Sequence, residues 1–180
     1  MSITLFRVLQ AGALCVSVSG CGLTQSVADS TTSMTRAVFY KQIKTLHLDF
    51  YGRLALNTDA ADMRTLSVPT LVRVYQLRDG KIVENSTYDE LLRDGDHVLN
   101  ADLLDQHSVV VKPGEGVQLN VPLHKEAQVI AIAGLFREPD VQINTWRLTL
   151  GREDLDPEQA RTVELGDNRL TLRADKRADG

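Results

Sequence analysis

The stretch Val68-Pro-Thr-Leu-Val-Arg-Val-Tyr-Gln-Leu-Arg78 decides the fold class of this chain. β-Branched and aromatic residues dominate it, and such side chains fit the pleated, partly buried surface of a sheet. Because side chains alternate between the two faces of a strand, Val72 and Val74 share one face. Leu71 and Tyr75 share the other. Both faces are apolar, so the pattern predicts a strand that is covered on both sides.

The flanking segments also have the periodicity of strands. Leu46–Leu56 alternates apolar and polar residues, which predicts a half-buried strand. Gln128–Phe136 is apolar on both faces, which predicts a central strand. Val117–Leu123 has one polar face and contains a proline, an arrangement typical of an edge strand. Further short strands are predicted at Val109–Lys112, Thr145–Leu150, Val163–Leu165 and Leu170–Leu172.

A helical insert is predicted between the strands. Thr87 and Glu90 have the spacing of a capping box, in which each side chain bonds the other residue's backbone. The dipeptide Asp94-Gly95 would end this helix. The apolar residues expected on one helix face are Tyr88, Leu91 and Leu92.

Shorter helical turns are predicted at Asn100–Leu104 and Leu155–Gln159, each next to a capping residue. Ala37–Ile43 fits a helical turn or a strand equally well. Short, evenly spaced strands with one helical interruption predict an all-β fold, a two-sheet β-sandwich.

The N-terminus has the pattern of a secretion signal. An apolar run follows Arg7 and extends from Val8 to Val18, too short for the roughly 20 residues that span a bilayer. It ends in Val-Ser-Gly-Cys at 18–21, which resembles a bacterial lipobox. The Cys21 thiol would then form a thioether to diacylglycerol, and its freed amine would carry an N-acyl chain. The alternatives are an ordinary signal peptide that ends near a cysteine, or a truncated membrane helix.

This interpretation divides the chain into four parts. We expect a lipoprotein signal peptide at 1–20, a lipidated N-terminus and flexible tether at 21–44, the β-sandwich at 45–173 and a charged tail at 174–180. Two or three acyl chains would hold the protein firmly on a membrane. Because Gly22 rather than Asp follows the cysteine, the expected location is the periplasmic face of the outer membrane.

Composition argues against several classes of function. The 180 residues are 43% hydrophobic and 24% charged, with a net charge of −4 and no basic run, so nucleic-acid binding is not expected. The two cysteines, Cys15 and Cys21, both lie in the N-terminal stretch. No motif for nucleophilic catalysis, phosphate binding or zinc is found. The sequence therefore predicts no enzyme, no metal, no small-molecule substrate and no cofactor beyond the acyl groups on Cys21.

An ordered set of short motifs resembles the TssJ family of type VI secretion lipoproteins. The motifs are Leu56-Asn57-Thr-Asp59, Val68-Pro69-x-x-Val72-Arg73-Val74-Tyr75-Gln76-Leu77, the insert at Asp89–Asp94, Lys112-Pro113-Gly114, Phe136-Arg137-x-Pro139 and Trp146-Arg147. They span Leu46 to Leu150 in the right order and follow a lipobox. One departure is Leu92, where the family pattern has a tryptophan.

The resemblance implies a transthyretin-like sandwich and a protein partner. That partner is the periplasmic C-terminal domain of the inner-membrane subunit TssM, with TssL associated indirectly. The loop between the first two strands is implicated in the contact, and here it matches Asn57–Leu66, which is also long enough to mark a functional loop. The partner-binding residues expected by position are Asn57, Thr58, Asp59, Ala60, Ala61, Asp62, Met63 and Arg64.

Two other classes of function compete with this one. A lipoprotein that binds a small ligand or glycan would need a concave site lined by aromatic residues, which make up only 5% of the chain. An enzyme on a transthyretin-like scaffold would need histidines and arginines converging at one mouth of the fold. The candidates for such a set are His47, Arg53, Arg73 and His124. His47 and Asp49 share a strand face that we expect to be solvated, and Trp146 is expected in the core.

Overall fold

Two four-stranded sheets form the part of the chain that the structure, a computed structural model, describes: residues 43–58 and 67–174. The strands are β1 (Thr45–Gly52), β2 (Thr70–Leu77), β3 (Leu103–Val111), β4 (Gly116–Pro122), β5 (Val129–Leu135), β6 (Arg147–Gly151), β7 (Arg161–Gly166) and β8 (Arg169–Leu172). The first sheet has the order β4-β1-β7-β8 and the second β3-β2-β5-β6. Neighbours are antiparallel except β1 and β7, which are parallel. The predicted β-sandwich is confirmed.

The central strand β2 is covered on both sides, as its apolar faces predict. Val72 and Val74 are fully buried in the core, and so is Tyr75 on the opposite face. Arg73, on that second face, donates hydrogen bonds from Nη1 to the carbonyls of Leu91 and Leu92, at 2.7 and 3.3 Å. The second face of β2 therefore lies beneath the helical insert.

Two helices form that insert: α1 (Lys81–Asn85) and α2 (Tyr88–Val98). The capping box predicted for α2 is present: the Thr87 side chain accepts from the Glu90 backbone, and the Glu90 carboxylate accepts from the Thr87 backbone at 2.7 Å. The Thr87 backbone N–H and hydroxyl both donate to the Glu90 carboxylate, which lowers the pKa of Glu90. Helical geometry is interrupted at Asp94, with φ −150° and ψ 50°, where the helix was predicted to end, and one further turn continues to Val98.

The edges and hairpins of the sandwich also follow the sequence pattern. β4 lies at the edge of the first sheet with Gln118 and Asn120 exposed, and β5 lies inside the second sheet. The last two predicted strands correspond to β7 and β8, which pair as an antiparallel hairpin. Asp167 and Asn168 connect them with φ values of 49° and 57°. Two positive φ values in a two-residue hairpin loop match a type I′ turn, for which Asn and Asp are favoured.

The predicted strand at Leu46–Leu56 is too long, because the chain leaves the sheet after Gly52. A side chain at that position would lie 2.5 Å from the carbonyl oxygen of Lys112, so close packing requires the glycine. Leu54, expected to be buried, is 80% exposed. The prediction that Leu92 lies on the buried helix face is also wrong, since Leu92 is 38% exposed while Leu91 is buried.

Two predicted helical turns differ from the structure. The turn predicted at Asn100–Leu104 lies slightly earlier: the Leu99 carbonyl accepts from the Asp102 and Leu103 backbones, both at 2.8 Å, and Leu103 already begins β3. β3 pairs with β2 from Leu103 to Val111 with one register shift near Leu103, and the polar residues at 105–108 hide the alternation of this edge strand. Leu155–Gln159 is not helical. A 3₁₀ turn lies just before it at Arg152–Asp154, where the Asp154 carboxylate accepts from the Gly151 backbone at 2.8 Å. Helix α1 was not predicted. Of Ala37–Ile43, only Ile43 lies within the described residues, and it is buried.

The buried hydroxyl of Tyr75 makes stability sensitive to alkaline pH. By geometry, the buried Tyr75 hydroxyl has no hydrogen-bond partner among the described residues. Burial raises the pKa of Tyr75, and the nearby Arg73 guanidinium offsets this only in part. The unfolded chain therefore ionises first, near pH 10. The contribution of Tyr75 to the free energy of unfolding is fully present below pH 10. It is lost as the pH rises through the pKa that Tyr75 has in the folded protein.

We expect Tyr75→Phe to change the free energy of unfolding at neutral pH by less than about 1 kcal/mol, because no hydrogen bond is lost. The loss of stability above pH 10 should be smaller in this variant. Tyr88→Phe is the comparison at neutral pH, where losing the hydrogen bond from the Tyr88 hydroxyl to the Phe136 carbonyl should cost about 1 kcal/mol. Burial raises the pKa of Tyr88 as well, so this variant should also lose less stability above pH 10. Urea denaturation between pH 7 and 11 measures both. A Tyr75→Phe protein with unchanged alkaline sensitivity would contradict the assignment.

Candidate partner-binding end of the sandwich

Four connections lie at one end of the sandwich. The strand register places Tyr51 opposite Gly116, Leu71 opposite Leu135 and Ala133 opposite Arg147. The β1–β2 loop, the β3–β4 turn, the β5–β6 connection and the β7–β8 turn therefore share what we term the loop end. β1 begins at the other end, where Thr45 pairs with Pro122. The eight residues of β1 separate the two ends by roughly 24 Å.

The first residue of the β1–β2 loop is held by a buried side chain. Asn57 is only 3% exposed, and its Oδ1 accepts a hydrogen bond from the Arg137 backbone at 2.8 Å. Arg137 belongs to the β5–β6 connection. A buried polar group that lacks a partner is costly, so this bond ties the two connections to each other.

The second loop residue is held by the β7–β8 turn. Thr58 donates from its backbone N–H to Asn168 Oδ1 at 3.0 Å, and Asn168 Nδ2 donates to the Thr58 carbonyl at 2.9 Å. The turn also donates two backbone bonds, from Asp167 to the Ala55 carbonyl and from Asn168 to the Leu56 carbonyl, at 2.8 and 3.3 Å. The chain at 55–58 is thus fixed before the rest of the loop begins.

Asn57 and Thr58 are the predicted site residues within the described part of the chain. The other predicted residues, Asp59, Ala60, Ala61, Asp62, Met63, Arg64 and the lipidation candidate Cys21, lie outside the described residues. Sequence reasoning missed Asn168 as a partner of this loop. The Gly-Asp-Asn turn signal was visible, but no pattern shows that its amide reaches a residue 110 positions away.

A groove runs beside the loop end, between the helical insert and the β5–β6 connection. Its volume is about 1100 Å³. Val141 and Ile143 on the β5–β6 connection are 58% and 71% exposed, and Val141 lines the groove. Trp146 packs edge-on against Tyr88 and is fully buried, so it does not offer a stacking surface for a ligand. The expectation that Trp146 belongs to the core is confirmed.

Arg147 joins the insert to β6. Its guanidinium donates to the carbonyls of Val83, Glu84 and Ser86 at 2.5–2.8 Å. These carbonyls lie at the end of α1, where a cation is favourable. Burial lowers the pKa of Arg147, yet an arginine pKa lies so far above neutrality that the side chain stays charged. This contact fixes the helical wall of the groove.

The residues considered for an enzyme do not converge. His47 bonds Asn120 on the outer face of the first sheet, whereas Arg53 lies at the loop end beside Asp167. Arg73 lies beneath α2 and His124 lies in the β4–β5 connection at the opposite end. Within residues 43–58 and 67–174, no three His, Cys, Asp or Glu side chains are grouped so that they would hold a metal. The same residues include no helix long and apolar enough to cross a membrane.

The family comparison decides what kind of protein this is. Residues 44–173 match the model of the family described as "Type VI secretion lipoprotein, VasD, EvfM, TssJ, VC_A0113". The chain belongs to this family. The match covers the whole described sandwich, so the motif-based resemblance is confirmed. No curated protein sequence matches the chain.

Solved structures of type VI secretion lipoproteins and assemblies have the same fold. A chain in the structure described as "T6SS protein TssM C-terminal domain (869-1107) from EAEC" is 38% identical, with a TM-score of 0.67, and the match covers 74% of this chain and 100% of that one. A chain in a structure described as "Type VI membrane complex" is 41% identical over 73% of this chain and 99% of that one, with a TM-score of 0.67. The Serratia marcescens protein Lip, a membrane-bound component of the type VI secretion system, is 20% identical, with a TM-score of 0.63 and coverage of 73% and 98%. That last likeness shows a shared fold.

Proposed function

We propose that this lipoprotein is a structural, non-enzymatic subunit of the type VI secretion membrane complex, anchored in the outer membrane by acylated Cys21. It binds the periplasmic C-terminal domain of the inner-membrane subunit TssM through the β1–β2 loop, and TssL indirectly. The observation that carries the proposal is the membership in the type VI secretion lipoprotein family. Similar chains in structures described as a TssM C-terminal domain and a type VI membrane complex support the choice of partner.

The arrangement of the sandwich suits a connector between two membranes. β1 begins at the end opposite the β1–β2 loop. Because the proposed tether precedes β1, an anchor on that side would leave the loop end free to face a partner. Because the sandwich is a packed two-sheet body, it transmits the position of the anchor to the loop end without needing to deform.

The proposed contact divides into a buried centre and a charged rim. Met63 is the apolar side chain of the loop best suited to fill a pocket, and flexible methionines pack well at binding surfaces. Asp59, Asp62 and Arg64 would lie around it and mainly affect the association rate. Truncating the centre should therefore weaken binding far more than changing one rim charge.

The test is a calorimetric titration of the acylated protein, held in detergent, with the periplasmic C-terminal domain of TssM. We expect micromolar or tighter binding by the parent protein. Met63→Asp should weaken it at least about 100-fold, because a desolvated charge replaces a buried contact. Gln159→Asp is the matched control: it adds the same charge at an exposed position in the connection that precedes β7, at the far end of the sandwich. This control should leave the affinity unchanged.

A second variant shortens the loop between residues 57 and 65, with its fold checked by circular dichroism. Binding that disappears with the shortened loop supports the proposed site. Retained binding would keep the partner and move the site to another face. If the parent protein does not bind at all, the connector role fails, and a lipoprotein with a small ligand or glycan becomes the better description.

A further inference from the structure

We propose that Asn168 is a positioning residue for the β1–β2 loop: its side-chain amide fixes the direction in which the chain leaves the sandwich at Thr58. The inference rests on the proposed function, because it assigns a role in partner binding to that loop. It adds a residue from a different hairpin, 110 positions away in the sequence. The inference is argued from two hydrogen bonds that the Asn168 side-chain amide makes to the backbone of Thr58.

The geometry of that contact is unusually restrictive. Asn168 accepts from Thr58 N–H at 3.0 Å and donates to Thr58 C=O at 2.9 Å, so the amide pairs with Thr58 as a neighbouring strand residue would. Two bonds to one residue fix both its position and its orientation. One hydrogen bond alone would leave Thr58 free to rotate about the line between the donor and acceptor atoms.

The same loop residues are held from a second side. Asn57, next to Thr58 in the chain, accepts from the Arg137 backbone at 2.8 Å and is buried. Asn57, Thr58, Asn168 and the Arg137 backbone N–H form what we term the loop latch. Because adjacent residues share one backbone, releasing Thr58 also frees Asn57 to leave its site. The two contacts should therefore open together.

The backbone conformation explains why asparagine stands at this turn position. Asn168 has φ of 57°, a left-handed conformation that asparagine and glycine tolerate better than other residues. Of these two residues, asparagine alone also offers a donor and an acceptor. Glycine is the informative replacement, since it keeps the turn and removes only the amide, whereas alanine would add backbone strain.

The affinity effect follows from preorganisation. A loop that leaves the sandwich in one direction binds without first being ordered, whereas a released loop must be ordered as it binds. The apparent affinity is the intrinsic affinity multiplied by the fraction of molecules in which the loop is correctly directed. We expect Asn168→Gly to bind the TssM domain about tenfold more weakly. Asn168→Asp keeps the acceptor for Thr58 N–H but loses the donor, so its loss should be intermediate.

The experiment combines amide hydrogen exchange with the titration, on the acylated protein in detergent. In Asn168→Gly we expect the amides of both Thr58 and Arg137 to exchange at least about tenfold faster. The Arg137 amide is the decisive readout, because its hydrogen bond is to Asn57 and not to the substituted residue. Asp167→Gly is the matched control: it removes the neighbouring side chain of the same turn, keeps the backbone donor, and loses only an exposed ion pair with Arg53. Titration at high salt suppresses any rim-charge effect of this control.

Each outcome decides the inference. Faster exchange at both amides with weaker binding, in Asn168→Gly but not in Asp167→Gly, supports it. Faster exchange at Thr58 alone, with Arg137 unchanged, overturns the latch. Faster exchange at both amides with unchanged affinity overturns the role in binding. If even the parent protein does not bind the TssM domain, the proposed function fails separately, and exchange at Arg137 still decides whether Asn168 positions the loop.

Discussion

Arg152→Met is expected to lower the free energy of unfolding by about 3–5 kcal/mol, because it removes a buried cation that holds three backbone carbonyls. Arg152 is 5% exposed. Its Nη1 donates to the carbonyls of His124 and Ala127 at 3.0 and 2.7 Å, and its Nη2 donates to the Ile43 carbonyl at 3.1 Å. Methionine fills a similar volume but leaves these buried acceptors without their donor.

The position of Arg152 indicates where this loss should appear first. Ile43 lies just before β1, and His124 and Ala127 belong to the β4–β5 connection at the same end. The arginine therefore holds the start of β1 to the β4–β5 connection. We expect the exchange of amides near Ile43 to increase before the core strands lose protection.

Denaturant unfolding measures the effect, with Arg78→Met as the matched control. Arg78 forms an exposed ion pair with Glu126 at 3.1 Å. The same substitution there should therefore lower the free energy of unfolding by about 1 kcal/mol or less. Arg152→Lys keeps the charge but lacks the planar fork that reaches several carbonyls, and should fall between the two. Equal losses in the Arg152 and Arg78 variants would contradict the role of the buried arginine.

The elements that were predicted correctly are those whose signal lies within a few residues. The doubly apolar Val72–Tyr75 pattern places β2 between two layers, and Gln128–Phe136 is central for the same reason. The capping box at Thr87 and the hairpin turn around Asp167 are also local signals, although the turn type was not predicted. Periodicity and turn chemistry were sufficient for the fold class.

The errors have a common physical origin in contacts between distant segments. Nothing near Gly52 in the sequence shows that the Lys112 carbonyl will pack against it and end β1. β3 was predicted too short because pairing with β2, rather than its own alternation, holds its polar half in the sheet. The contacts of Asn168 with Thr58 and of Asn57 with Arg137 are of the same kind. The loop itself could be chosen from its length and from the family resemblance, but not the residues that hold it.

Cys21→Ser is expected to release the protein completely from the membrane, because a hydroxyl cannot replace the thiol that forms the thioether to diacylglycerol. Each buried CH₂ contributes about 0.8 kcal/mol, so two or three chains account for the whole of firm anchoring and their loss leaves none. The folded domain should be unaffected, since the core formed by the described residues extends from Ile43 to Leu170 and does not depend on the acyl chains. Fractionation of cells, together with metabolic labelling by a palmitate analogue, measures both the location and the acylation.

Cys15→Ser is the control for that variant, because Cys15 is the other cysteine of the chain and precedes the proposed cleavage site. It should leave labelling and outer-membrane location unchanged. Labelling that persists in Cys21→Ser and disappears in Cys15→Ser would contradict the proposal and place the lipid on Cys15. If Cys21→Ser is unlabelled and released but still binds the TssM domain in solution, then anchoring and partner binding are separate functions of the two ends. The tether would then raise the local concentration of a binding site that is already complete in the sandwich.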